Sequence, residues 1–417
     1  MKKGDEMIKR ISAAFLAAIF CFCLLTGCSP SGAVPDETPE AHVTEEPTAA
    51  PTPEPTEEPT AAPTPEPTEE PIESVILRYV GGMTDAEKIG ELVMFGCGGK
   101  TEPDPKFIAF LSEHPVGGLF IGTENIDKND GSGGFDSVKK LIAAIEESCP
   151  SKTGRLYSAD VEGGGVVRFG WEPAIKAPYY LNGPDEALPL FTDIGKKLID
   201  TGINTDLAPV FDISEDPLST FLGTRIISSD LNEVASTGGA MIAGLHAGGC
   251  IACAKHFPGH GATEEDSHDH TPVVKKSAEA LYAYDLAAFR AAIDAGADMI
   301  MAAHISYPAL DENDIASMSK PVITGILRGE LGFDGVVITD AMGMGGLVSR
   351  YTLEEAAVRF ILAGGDIVLC GNDPAACETI IDSLDRAVSS GEISTERLDE
   401  SVCRVLLLKY RYGIFEP

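Results

Sequence analysis

Positive charge is scarce in this sequence: 31 lysines and arginines stand against 65 aspartates and glutamates, for a formal net charge of −34. A phosphate backbone needs a basic surface, so nucleic acid is excluded as a partner. Adhesion to an anionic membrane through surface charge is excluded with it. Cysteines are too few and too scattered for a disulfide framework: Cys21, Cys23 and Cys28 lie near the start, and seven are spread over the remainder. Cys250 and Cys253 form a C-x-x-C, but no second one exists to complete a zinc site, so packing is the expected role. No apolar run reaches the length of a membrane span, since the longest, Ile11 to Leu25, is too short. The triple glycine at 163–165 lacks the Gly-Lys-Ser/Thr ending of a phosphate loop.

What is present begins with an address. Lys2, Lys3, Lys9 and Arg10 precede the apolar run, and Leu25-Thr26-Gly27-Cys28 follows it. A basic start, a short apolar core and small residues before a cut site make a signal peptide over residues 1–28. Its ending resembles a bacterial lipobox, which implies that Cys28 carries a lipid anchor and that the mature protein sits outside the cytoplasm on the cell membrane. Residues 29–71 are low in complexity, and one twelve-residue acidic, proline-rich unit occurs at 45–56 and again at 57–68. Like charges repel and proline removes backbone donors, so this stretch is a spacer that packs no core.

From 72 to 417 apolar strand-like runs alternate with helical spacing. Strands are expected near 91–97, 117–122, 154–160, 203–210, 251–257, 297–304, 335–341 and 366–371. Tyr282, Leu286, Phe289 and Ile293 mark one helix face, and Leu398, Val402 and Val405 another. Eight βα units fit a (β/α)8 barrel, with an open doubly wound sheet as the alternative. Asp160, Asp206, Lys255-His256, His304 and Asp340 follow five separate strands. Barrels put chemistry at the C-terminal ends of strands, whereas an open sheet concentrates it at one switch point, so the barrel is favoured.

Three clusters carry the chemistry. Four of the eight histidines fall between Lys255 and His270. That loop reads as a solvated segment, as a metal site, or as an acid–base device in which Asp266 orients the imidazole of His268. Asp340 ends an apolar run and suits a nucleophile, a metal ligand or a helix cap. In the glycine-rich third cluster, Asp160 and Arg168 suit the hydroxyls and amide of a sugar. Arg225 lies on a further loop.

Together these segments resemble glycoside hydrolase family 3, in its bacterial β-N-acetylglucosaminidase (β-N-acetylhexosaminidase) branch, over nearly all of 74–415. The most specific part is Lys255-His256-Phe257-Pro258-Gly259-His260-Gly261 followed by Asp266-Ser267-His268. Met83 to Gly90 looks like the opening helix of the family. The resemblance implies a retaining exo-glycosidase that acts on terminal β-N-acetylglucosamine of cell-wall-type glycans. Asp340 would be the nucleophile, His268 the acid/base and Asp266 its partner. Asp160, Arg168, Arg225, Lys255 and His256 would hold the sugar. It implies no cofactor and no metal, a glycan as the partner, and a monomer that meets the membrane only through its anchor. Two positions depart from the family pattern: Gly165 stands where arginine is usual, and Ile226-Ile227 where aromatic or serine residues often follow the arginine. Other glycosidases of the family, a phosphorylase and a non-catalytic sugar-binding lipoprotein are the alternative readings.

Overall fold

The computed structural model describes residues 70–263, 267 and 269–417. The leader, Cys28, the linker to 69, and Asp266 and His268 lie outside them. The chain divides after Ser74, and the unit Val75–Pro417 carries the architecture described here. Its early helix Asp85–Glu91 starts where local chemistry dictates. The Thr84 hydroxyl accepts from Glu87 N at 3.3 Å while Glu87 Oε2 accepts from Thr84 N at 2.9 Å. This reciprocal cap satisfies two otherwise orphaned donors.

The strands are β1 Val93–Gly96, β2 Gly118–Phe120, β3 Leu156–Ala159, β4 Val161–Gly163, β5 Val166–Val167, β6 Thr205–Asp206, β7 Ile251–Phe257, β8 Met299–Ala302, β9 Val336–Thr339 and β10 Val368–Leu369. Eight of them form one sheet in the order β10-β1-β2-β3-β6-β7-β8-β9, every pair parallel. The ends join through a parallel bridge between Ile338 and Ile367, with Thr339 N donating to Ile367 O at 2.9 Å. The sheet is therefore a barrel ringed by helices, as expected. All residues of β1, β3, β7, β8 and β9 are buried. Strands covered on both faces have no reason to alternate, which is why they read as apolar runs.

Each expected strand is found, β7 with the expected bounds and the other seven with shorter ones. The run at 203–210 pairs regularly only at Thr205–Asp206, with one further bridge from Val210 to Lys255. Pro209 has no N–H to extend that ladder. The terminal helix Thr395–Arg411 buries Leu398, Val402 and Val405 as its spacing predicts. The other helical face is shifted. A wide π-type turn over Leu281–Asp285 buries Leu281 and leaves Tyr282 41% exposed, its hydroxyl on Glu330. A turn with more than 3.6 residues rotates the residues before it off the predicted stripe. The triple glycine makes the tip of the unforeseen β4–β5 hairpin. Gly163 has φ 104°, and a β-carbon there would meet Lys176 O at 2.4 Å. Cys250 and Cys253 are buried free thiols, and burial pushes both pKa values up.

Asp366 locks the closure of the barrel. Its fully buried carboxylate accepts from Arg328 Nη2 at 2.5 Å, Ser401 Oγ at 2.6 Å, Val337 N at 2.9 Å and Arg404 Nη1 at 3.1 Å. Burial alone would raise its pKa, but Arg328, Arg404 and Arg397 outweigh that and bring it down to about 2. Asp366→Ala strands these guanidiniums and is expected to cost roughly 3–5 kcal/mol in denaturant unfolding. Because the folded pKa is depressed, the carboxylate contributes its stability above the unfolded value of about 4 and loses it as pH falls toward 2. A variant as stable as the parent at neutral pH would refute this role.

Candidate active site

A cavity of about 380 Å3 opens at the C-terminal ends of the strands. Asp160 enters from β3, Glu162 and Arg168 from the hairpin, Lys255 and His256 from β7, Arg225 from the loop after β6, and Asp340 from the end of β9. Five of the sugar-holding residues implied by the sequence thus meet Asp340 in one place. Lys255 and His256 are neighbours in a strand, and regular alternation would turn one away from the other. The pairing of β7 with β8 slips between Lys255 and Phe257, and both side chains reach the cavity.

The walls are an ionic lattice. Lys255 Nζ donates to Asp160 Oδ1 at 2.8 Å and to Glu162 Oε1 at 2.6 Å. Arg168 Nη2 donates to Asp160 Oδ2 at 2.6 Å. Arg225 holds Glu162 through Nε at 2.7 Å and Nη2 at 2.9 Å. Burial pushes the pKa of Asp160 and Glu162 up, but Lys255 with Arg168, and Lys255 with Arg225, pull them below the ordinary range. Both are held as carboxylates at the cavity wall. His256 Nδ1 sits 2.6 Å from Asp212 Oδ2 and its Nε2 3.4 Å from Arg225 Nη2. A carboxylate only accepts, so Nδ1 carries the proton given to Asp212.

Asp340 is half-buried and faces the cavity. Its Oδ1 accepts from Ala341 N at 2.8 Å, and its carbonyl oxygen faces His304 Nε2 at 3.2 Å. His304 Nδ1 meets Ser317 Oγ at 2.8 Å, so the imidazole fixes the backbone that aims Asp340. Burial opposes ionisation of Asp340, while His256, His304 and Ala341 N–H favour it more strongly, and its pKa falls below the usual value. Asp206, beneath the lattice, behaves oppositely. Burial raises its pKa well above the ordinary value, and Oδ2 has no partner among the described residues.

Asp266 and His268 lie outside the described residues, but their flanks do not. His260 contacts the hydroxyls of Thr263 at 3.0 Å and Ser267 at 2.9 Å. Ser267 lines the cavity, and its carbonyl accepts from Gly346 N, in the short helix Gly345–Val348 that follows Asp340, at 2.9 Å. Asp212 braces this side too, accepting from His260 N at 2.5 Å.

Glu162, Asp212 and His260 had no assigned role in the sequence reading. Glu162 stands two residues after Asp160, the spacing of one strand face, and was the most recoverable. Ile226, one of the departures, packs with Val210 and Leu222 in the core. The other, Gly165, has open space where a β-carbon would stand.

Residues 84–408 match the glycosyl hydrolase family 3 N-terminal domain. The beta-hexosaminidase A of Pseudoalteromonas piscicida is 29% identical over 368 residues, 78% of this chain and 61% of that protein. The beta-hexosaminidase of Chromobacterium violaceum is 33% identical over 287 residues, 66% of this chain and 77% of that one. The solved structure of a family 3 beta-N-acetylglucosaminidase from Paenibacillus sp. FPU-7 superposes with a TM-score of 0.75 at 35% identity, covering 80% of this chain and 63% of that one.

Proposed function

The chain belongs to glycosyl hydrolase family 3, and from that premise we propose that it is a retaining exo-glycosidase releasing terminal β-N-acetylglucosamine. The observation that carries the reading is Asp340, held ionised at the floor of a cavity whose walls are the Asp160–Lys255–Glu162–Arg225 lattice. Asp340 attacks the anomeric carbon, the glycosidic C–O bond breaks, and a covalent glycosyl-enzyme forms. His268 gives its proton to the departing oxygen, then takes one from the water that releases the sugar, while Asp266 orients it and stabilises its charged form. Support for that pair comes from Ser267, which separates them in the chain, lines the cavity and is tied to the short helix that follows Asp340. Asp160, Lys255, Arg168, Arg225 and His256 hold the sugar.

Water is the proposed acceptor, and its activation falls to His268. Cell-wall glycan is the proposed natural substrate, and a lipid anchor at Cys28 places the enzyme beside it outside the cytoplasm. Among the described residues no helix is long and apolar enough to cross a membrane. Fractionation of cells with and without Cys28 reads the address directly.

The test compares p-nitrophenyl N-acetyl-β-glucosaminide with the matching glucoside. The N-acetyl sugar should be preferred by roughly 100-fold or more in kcat/KM, because a site built for an amide leaves buried groups unpaired without it. Phosphate and a chelator should leave the rate unchanged. Equal turnover of both sugars, or a rate that rises with phosphate, would sink the proposal.

A further inference from the structure

A second cleft, of about 750 Å3, is lined by residues that the catalytic reading does not use. Trp171, the one tryptophan of the chain, stands half-buried in its wall. The indole meets Phe135 edge-on at 5.2 Å, Phe135 stacks on Phe169 at 4.4 Å, and Lys197 lies 4.6 Å over the Phe135 ring. Lys128, Glu172, Asp193, Lys196 and Asp200 line the same cleft.

The frame of this cleft is rigid. Asp130 accepts from Ser132 N at 2.7 Å, Ser132 Oγ at 2.8 Å, and Gly134 N and Ser137 N at 2.9 Å each. Gly133, at φ 80°, passes so close to Gly170 that a β-carbon would meet Gly170 O at 2.1 Å, and Gly170 N donates back to Gly133 O at 2.8 Å. Such lacing preorganises a binding surface.

Its charges are left open. The side chains of Lys128, Glu172, Asp193, Lys196 and Asp200 make no ion pair or hydrogen bond among the described residues. Exposed pairs elsewhere do close, as in Lys152–Glu87 at 2.6 Å and Arg359–Glu355 at 2.8 Å. Asp193 and Lys197 have the one-turn spacing that favours pairing, but Lys197 is taken by the Phe135 ring. Three amines, Lys128, Lys196 and Lys197, balance three acids, Glu172, Asp193 and Asp200. A neutral ligand rich in donors and acceptors, with one apolar face for the indole, matches that lining, whereas a polyanion does not.

We propose that this cleft is a second saccharide-binding site, in which a pyranose packs its C–H face on Trp171 and its hydroxyl and acetamido groups meet Asp193, Lys196 and Asp200. The site holds a glycan by a unit other than the one being cleaved. Arg168 lines the catalytic cavity and Trp171 follows three residues later, so one chain segment serves both. The choice of N-acetylglucosamine as the sugar rests on the proposed function.

The single tryptophan makes the test specific. The full chain carrying Asp340→Asn, which halts turnover, is titrated with β-1,4-linked N-acetylglucosamine tetramer while tryptophan emission is followed. A saturable change is expected, weakened about tenfold by Asp193→Ala with Lys196→Ala. With Asp340 restored, that double variant should keep kcat/KM on the aryl monosaccharide within about twofold of the parent. No emission change up to ~10 mM tetramer would overturn the site. So would a change indifferent to the double variant, because Trp171 would then report the catalytic cavity. Saturation without any aryl turnover would leave this site standing and remove the proposed function instead.

Discussion

Asp340→Asn is expected to lower kcat on aryl N-acetyl-β-glucosaminides by about ten-thousand-fold or more, with KM and the thermal midpoint little changed. The amide keeps the shape of the carboxylate and its bond from Ala341 N, and the His304 contact is to the backbone, so the fold has nothing to lose. What disappears is the nucleophile. The pH profile carries a second signature. The pKa of Asp340 lies below the ordinary carboxylate value, since burial is outweighed by His256, His304 and the Ala341 N–H. Activity through this group is present above that lowered pKa and lost as pH falls through it. The acid limb of kcat/KM should therefore sit below the usual carboxylate range. Near-parental turnover by the variant would remove Asp340 from the mechanism.

His268→Ala should divide substrates by their leaving group. On a natural glycan, whose departing sugar alkoxide needs a proton, the loss is expected to be about 10²–10⁴-fold. An aryl leaving group departs with little help, so its first step should lose about tenfold or less. Asp266→Ala should follow the same order with smaller losses, because it removes the orienting partner and leaves the imidazole. Values of kcat/KM on a N-acetylglucosamine oligomer and on the aryl glycoside, which report the first step alone, decide the matter. Equal losses on both would mean that His268 is not the acid.

The barrel was legible in the sequence for a physical reason. Parallel strands covered on both faces become apolar runs, and β1, β7 and β9 were found by that mark alone. Polar residues ending such runs, Asp160, Lys255-His256 and Asp340, were visible as departures from it. Features set by tertiary contact were not legible. Glu162 joins Arg225 from 63 positions away, and Asp160 joins Lys255 from 95, and no local pattern encodes those pairings. The β4–β5 hairpin is too short for a periodic signal, and only the glycines at its tip announced a special backbone. Tyr282 was misplaced because a single wide turn rotates a helical stripe that periodicity assumes to be regular.

The central claim is a two-step displacement through Asp340, and the His268→Ala chain offers its most direct measurement. With an aryl N-acetyl-β-glucosaminide the first step proceeds without acid help, while the second lacks the base that activates water. The glycosyl-enzyme should then accumulate, and rapid quenching with intact-mass and peptide mass spectrometry should find one N-acetylhexosaminyl residue on the peptide that contains Asp340. An adduct on another residue, or no adduct while turnover continues, would contradict the account.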